Sequence, residues 1–402
     1  MQNWERALKR ALGIGIGATA VGIAGVVAGG AALARRVVTP DAASAEPVTV
    51  TRVERDGDRL IGWFSGVHAD LPGQYSFLFN DGAGHARVGP VRTSGAQGVV
   101  REILQVERGI LQPGTRGRLT GWWYADPESV GLRVEHITYA TELGPAEAWI
   151  LHPKRARRKR WAVHVHGRGA LPEETLRGVA PLARAGITSL VISYRNDPGA
   201  PQGDLGRYGI GLSECRDVDA AIAEALRRGA ERVTLFGWSM GGTASLLAAT
   251  TGPYAAAVDG LILDSPAVDW PALLRDQASS LAVPRPVADV GIAMLGRGLV
   301  RAGQPGGLDF PSIQPDTIAR ALQVPVLIHA SRGDTFVRSA GAEQLAALRP
   351  DLIQLRLQKV GEHVKLWNVD PSPWETVTEQ FARAIPKPAW RGELPQPPVP
   401  VD

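Results

Sequence analysis

Two hydrophobic grammars divide the chain. From Val48 to about residue 131, β-branched and aromatic residues fall in short runs separated by Gly, Asp and Pro turns: Val48–Val53, Arg59–Val67, Tyr75–Asn80, Val99–Val106 and Arg118–Tyr124. That pattern predicts a small β-rich module over residues 48–131. Within it, Arg59-Leu60-Ile61-Gly62-Trp63-Phe64 is echoed by Arg118-Leu119-Thr120-Gly121-Trp122-Trp123, which marks a candidate duplicated strand unit. From Leu132 onward, apolar strand-like runs alternate with amphipathic helical stretches, as expected of a mostly parallel central sheet with helices on both faces. The second region is assigned to residues 132–390. The segment 270–322 is too long for a simple connection and is read as a lid, and residues 391–402 form a Pro-rich tail.

The amino terminus has a third pattern. Ala11 to Ala34 is a run of 24 positions without a charge, preceded by Arg6, Lys9 and Arg10 and followed by Arg35 and Arg36. Its length exceeds the ~7–15 residues of a cleaved signal and suits a bilayer span. Residues 1–36 are therefore expected to be a membrane anchor, with 37–47 as a linker and the rest of the chain extracytoplasmic. Cleavage near Ala43-Ser44-Ala45, giving a secreted protein, is the alternative. Gly13/Gly17 and Gly25/Gly29 have the spacing that lets helices approach closely.

Composition narrows the partners. With 44% hydrophobic and 21% charged residues, the 402-residue chain is not disordered. Its net charge of +4 is outweighed by one run, Lys154, Arg155, Arg157, Arg158, Lys159 and Arg160; without it the remainder is slightly acidic. The run reads as a solvated turn between strands, and no nucleic-acid partner is expected. The single cysteine, Cys215, reads as a packed thiol. His68 and His85 stand alone and read as solvated loop residues. His164 and His166 alternate on one strand, but no carboxylate or histidine helix accompanies them, so no metal is expected.

The chemistry concentrates at Gly237-Trp238-Ser239-Met240-Gly241-Gly242, placed directly between an apolar strand and a small-residue helical run. A serine in such a strand-to-helix turn is presented as a nucleophile, and the flanking glycines let the backbones crowd together. A hydroxyl needs a base within reach and an acid to orient that base. Asp334, after the strand 324–329, and His363, after the next strand, supply both in the order Ser, Asp, His; Asp264 is the rival acid. An acyl-transfer transition state also needs donors for a developing oxyanion. The backbone N–H of Met240 and that of Arg168, in His166-Gly167-Arg168-Gly169, are the candidates. Tyr194-Arg195-Asn196-Asp197, Trp270, Phe336 and Trp367 are candidate pocket residues.

Read in order, HGRG, YRNDP, GRYGIG, ECRDV, LFGWSMGG, SRGD and GEHVKLWN resemble the membrane-associated α/β-hydrolases of the bacterial serine aminopeptidase-like and prolyl-oligopeptidase-like group. The resemblance covers roughly residues 132–390. It implies the α/β-hydrolase fold, Ser239, Asp334 and His363 as a triad, and no cofactor. The expected function is cleavage of a carboxylic ester through an acyl-enzyme, with a small-molecule or peptide substrate. A peptidase or acyltransferase on the same triad is the near alternative, and a non-catalytic envelope binding module the distant one. Neither the acyl group nor the oligomeric state is legible in the sequence.

Overall fold

The computed structural model describes residues 24–40, 45–156 and 159–386. Strands β1 (Val48–Asp56), β2 (Arg59–Gly66), β3 (Tyr75–Phe79), β4 (Gly84–Gly95), β5 (Gly98–Arg108) and β6 (Arg116–Thr120) close into a barrel in the order β1-β2-β5-β4-β3-β6. Closure leaves no unpaired edge, and the interior is filled by Val48, Val50, Phe64, Phe77, Phe79 and Ile103. Strand β4 was not expected. Its pairing with β5 shifts register four times between His85 and Thr93, and each irregularity breaks the period-two alternation by which strands are read. His85, expected in solvent, is buried on β4, with Nδ1 2.7 Å from Glu107 Oε2 and Nε2 2.7 Å from Ser76 Oγ. The echoed hexapeptides part company at their ends: β2 runs through Trp63 and Phe64, whereas β6 stops at Thr120. Trp123 leaves the barrel to pack on Trp367 at 5.5 Å.

The second region is an eight-stranded sheet ordered β14-β13-β12-β11-β9-β10-β8-β7. Its strands are β7 (Arg133–Thr141), β8 (Gly144–His152), β9 (Arg160–Val165), β10 (Thr188–Ile192), β11 (Arg232–Trp238), β12 (Val258–Asp264), β13 (Val326–Ser331) and β14 (Ile353–Gln358). Strand β8 is antiparallel to β7 and β10, and the other neighbours are parallel. Crossover helices cover both faces, so β10, β12 and β13 are buried throughout and read as continuous apolar runs. These helices include α2 (Val179–Arg184), α3 (Cys215–Arg227), α4 (Met240–Thr250), α8 (Ala340–Leu348), α9 (Leu366–Val369) and α10 (Pro371–Ala384). Between β12 and β13 lie α5 (Trp270–Ser280), α6 (Arg285–Gly296) and α7 (Pro315–Ala321), in the segment expected to be a lid.

The basic run is not wholly a solvated turn. Lys154 and Arg155 are exposed and Lys159 pairs with Glu231, but Arg160 opens β9 and is buried, with Nε donating to Asp259 Oδ2 at 3.0 Å. Arg157 and Arg158 lie outside the described residues. Cys215 starts α3, where burial pushes its thiol up to about 12.

The expected bilayer span finds no support. Among the described residues no helix is long and apolar enough to cross a membrane. Residues 11–23 of the run lie outside the described residues. Residues 24–38 form a helix, α1, which continues past the expected break at 36 and buries Ala34 and Val38 against the hydrophobic core beneath. The Pro-rich tail, 391–402, also lies outside the described residues.

Candidate active site

Ser239 sits between β11 and α4 with φ 50° and ψ −118°, a backbone region a side chain rarely occupies. The turn that forces this is possible only with glycine on each side. A Cβ on Gly237 would lie 2.5 Å from Gly241 O, and one on Gly241 would lie 2.2 Å from Val165 O. The serine is thereby lifted off the carboxyl end of the parallel sheet. Met240 begins α4, where the first N–H groups have no acceptor within the helix.

Two other strand ends deliver the partners. His363 Nε2 is 2.8 Å from Ser239 Oγ, and His363 Nδ1 is 2.8 Å from Asp334 Oδ2. The second oxygen of Asp334 accepts from the backbone N–H of Phe336 (2.9 Å) and Val337 (2.8 Å), which fixes the carboxylate's orientation. The rival acid, Asp264, is not at the imidazole. It accepts from Trp374 Nε1 and Ser265 Oγ, and burial pushes its carboxyl up to about 6.

The loop after β9 is held from behind. Gly167 N–H donates to Glu174 Oε2 at 2.9 Å. Tyr194 stacks on His166, and its hydroxyl donates to Gly167 O at 3.0 Å. Asp197 accepts from His166 Nε2 and from Tyr194 N–H. Burial opposes charge on His166, but Asp197 and the Gly167 carbonyl outweigh it and raise the ring's pKa. Tyr194, Arg195, Asn196 and Asp197 were expected to line the pocket and do not; they form the scaffold beneath it, Arg195 by pairing with Asp217. His164 is committed elsewhere, with Nε2 2.9 Å from Ser189 Oγ.

Beside Ser239 opens a cavity of about 360 Å³ whose walls are mostly apolar and include Trp270, Leu273, Phe336 and Val337. Of the expected pocket aromatics, Trp367 is absent from this lining. A larger, polar hollow of about 620 Å³ lies on the barrel, but none of the motif residues line it.

Four residues that matter here were invisible in the sequence. Glu174 holds the Gly167 amide. Arg177, buried, donates from Nη1 to Val364 O (2.9 Å) and Asn368 Oδ1 (2.7 Å) and from Nε to Glu174 O (3.1 Å). Asn368 in turn donates from Nδ2 to Gln74 O (2.9 Å) and Gly121 O (3.2 Å), while Gln74 N–H returns to Asn368 O (2.9 Å). The barrel thus grips the loop that carries His363. Leu33, from α1, reaches the cavity.

Residues 162–396 match the model of the Alpha/beta hydrolase family, and residues 49–120 match a domain of unknown function. No curated protein matches the chain. Among solved structures it is similar to an esterase from Pyrococcus furiosus, at 16% identity and TM-score 0.48 over 65% of this chain and 94% of that one. It is also similar to the acylaminoacyl peptidase of Pyrococcus horikoshii, at 15% and 0.47 over 85% of this chain and 49% of that one. A third is an esterase from Pyrobaculum calidifontis, at 17% and 0.46 over 64% and 86%. The family match alone spans more than half of the sequence, and by it the chain belongs to the alpha/beta hydrolase family of enzymes.

Proposed function

We propose that the protein is a serine esterase that cleaves carboxylic esters with an apolar acyl group through an acyl-enzyme on Ser239. The observation that carries this reading is the continuous chain Ser239 Oγ, His363, Asp334, with both links at 2.8 Å. Ser239 Oγ attacks the ester carbonyl as its proton passes to His363 Nε2, and Asp334 balances the imidazolium. The backbone N–H groups of Met240 and Arg168 receive the oxyanion. Collapse of the tetrahedral intermediate expels the alcohol, which takes the proton from His363. Water, deprotonated by the same imidazole, then releases the acid.

The mostly apolar lining of the cavity supports the ester reading, and the one carboxylate among its described lining residues, Glu174, has Oε2 on Gly167 N–H. Labelling with a fluorophosphonate tests the assignment: wild type should react and Ser239→Ala should not. Ser239→Ala and His363→Ala should each lower ester turnover on the order of 10³-fold or more. Equal labelling of wild type and Ser239→Ala would remove the serine from the chemistry.

A further inference from the structure

One wall of the cavity comes from outside the catalytic region. Helix α1 lies against α6 so closely that a Cβ on Gly30 would come within 3.0 Å of Gly291 N, and one on Gly291 within 2.8 Å of Gly30 O. Its last turn is anchored as well. Tyr208 N–H donates to Val38 O at 2.7 Å. Arg168 donates from Nε to Val37 O (2.9 Å) and from Nη2 to Arg36 O (3.0 Å) and Thr39 O (2.8 Å). The final carbonyls of a helix have no acceptor role inside it and favour a cation, so the guanidinium closes α1 well. So placed, Leu33 and Val37 line the same cavity as Ser239, Leu273 and Phe336.

We propose that α1 is the acyl-specificity wall of this site: the apolar acyl chain of the substrate lies against Leu33 and Val37, and Arg168 ties the position of that wall to the oxyanion loop. The proposal rests on the serine-esterase reading and narrows it to esters whose acyl chain is long enough to reach α1. It also gives Leu33, near the end of the uncharged stretch, a role in substrate binding.

The test uses the full chain and two readouts. The first is the ratio of labelling rates for a long-alkyl and a short-alkyl fluorophosphonate; the second is kcat/KM for p-nitrophenyl octanoate against p-nitrophenyl acetate. Leu33→Trp fills the α1 side of the cavity and should lower both ratios about tenfold or more, since one methylene of fit in an apolar pocket carries ~10-fold or greater discrimination. The loss should fall far more heavily on the long probe than on the short one. Val37→Ala, a smaller change, should move the preference toward longer chains. Ratios that stay at the wild-type value in both variants would overturn the proposal, as would parallel loss on long and short substrates in correctly folded protein. A wild type that no fluorophosphonate labels would instead sink the serine reading itself, so the two failures are told apart.

Discussion

The barrel and the catalytic region each bury a guanidinium, and they use it differently. In the barrel, Arg101 is fully buried and donates only to carbonyls of its own module: Ala69 O (3.1 and 3.0 Å), Gly73 O (2.9 Å), Gly89 O (2.9 Å) and Leu71 O. Burial pushes it down to about 10, but ample acceptors keep the charge satisfied. Arg177 is as deeply buried, yet its partners belong to three separate pieces: the segment carrying Glu174, the loop carrying His363, and Asn368, which touches the barrel. The same physics closes a loop in one place and joins three separate pieces around His363 in the other. The two are even in series, because Arg101 holds Gly73 and the next residue pairs with Asn368.

The largest expected effect separates these roles. Arg177→Met leaves Val364 O, Glu174 O and Asn368 Oδ1 without their donor, and such orphaned groups cost ~1–3 kcal/mol each. Stability in urea should fall by about 3 kcal/mol or more, and labelling of Ser239 in the surviving folded protein should slow by about 100-fold, since small misplacement of a catalytic group has effects of that size. Arg101→Met should lose comparable stability while the folded fraction labels within about threefold of wild type. Equal damage to labelling in both variants would erase the distinction and make the barrel part of the catalytic alignment.

A finer cut is Asn368→Ala, which removes the side-chain bonds to Gln74 O and Gly121 O and one acceptor of Arg177, while the backbone bond from Gln74 N–H to Asn368 O remains. We expect a drop in kcat of about tenfold with little change in KM, as when an interaction that positions a catalytic group is lost. A fall in melting temperature with kcat intact would mean that the barrel is merely attached.

What the sequence revealed follows the same division. That Ser239, Asp334 and His363 would come together was legible because the parallel sheet exposes its strand ends, and each of the three follows a strand by a few residues. Strand β4 was hidden by its bulges, and His85 with it. Arg177, Glu174 and Asn368 were hidden because nothing local distinguishes a buried polar residue from an exposed one; their partners lie up to 294 residues away. The amino-terminal run is legible only in part: its described end, residues 24–34, belongs to a helix that buries Ala34 against the core, and residues 11–23 lie outside the described residues.

A last comparison concerns a half-buried carboxyl with one buried oxygen that has no such partner. Asp219, on α3, has an Oδ1 that is buried without a hydrogen-bond partner among the described residues, and a Cβ on Gly252 would sit 2.3 Å from it. Desolvation raises its carboxyl to about 7, against an unfolded value of 3.8. The folded state therefore holds a proton there that the unfolded chain gives up between about pH 4 and 7, so this group stabilises below its unfolded pKa and loses that contribution as pH rises through 7. Asp219→Asn removes the ionisation. Its melting temperature should exceed that of wild type at pH 8, and the difference should shrink to nothing near pH 3, where the carboxyl is neutral in both the folded and the unfolded chain. A constant difference at the two pH values would mean that Asp219 is ionised in the folded protein throughout, with a partner as good as those of Arg101.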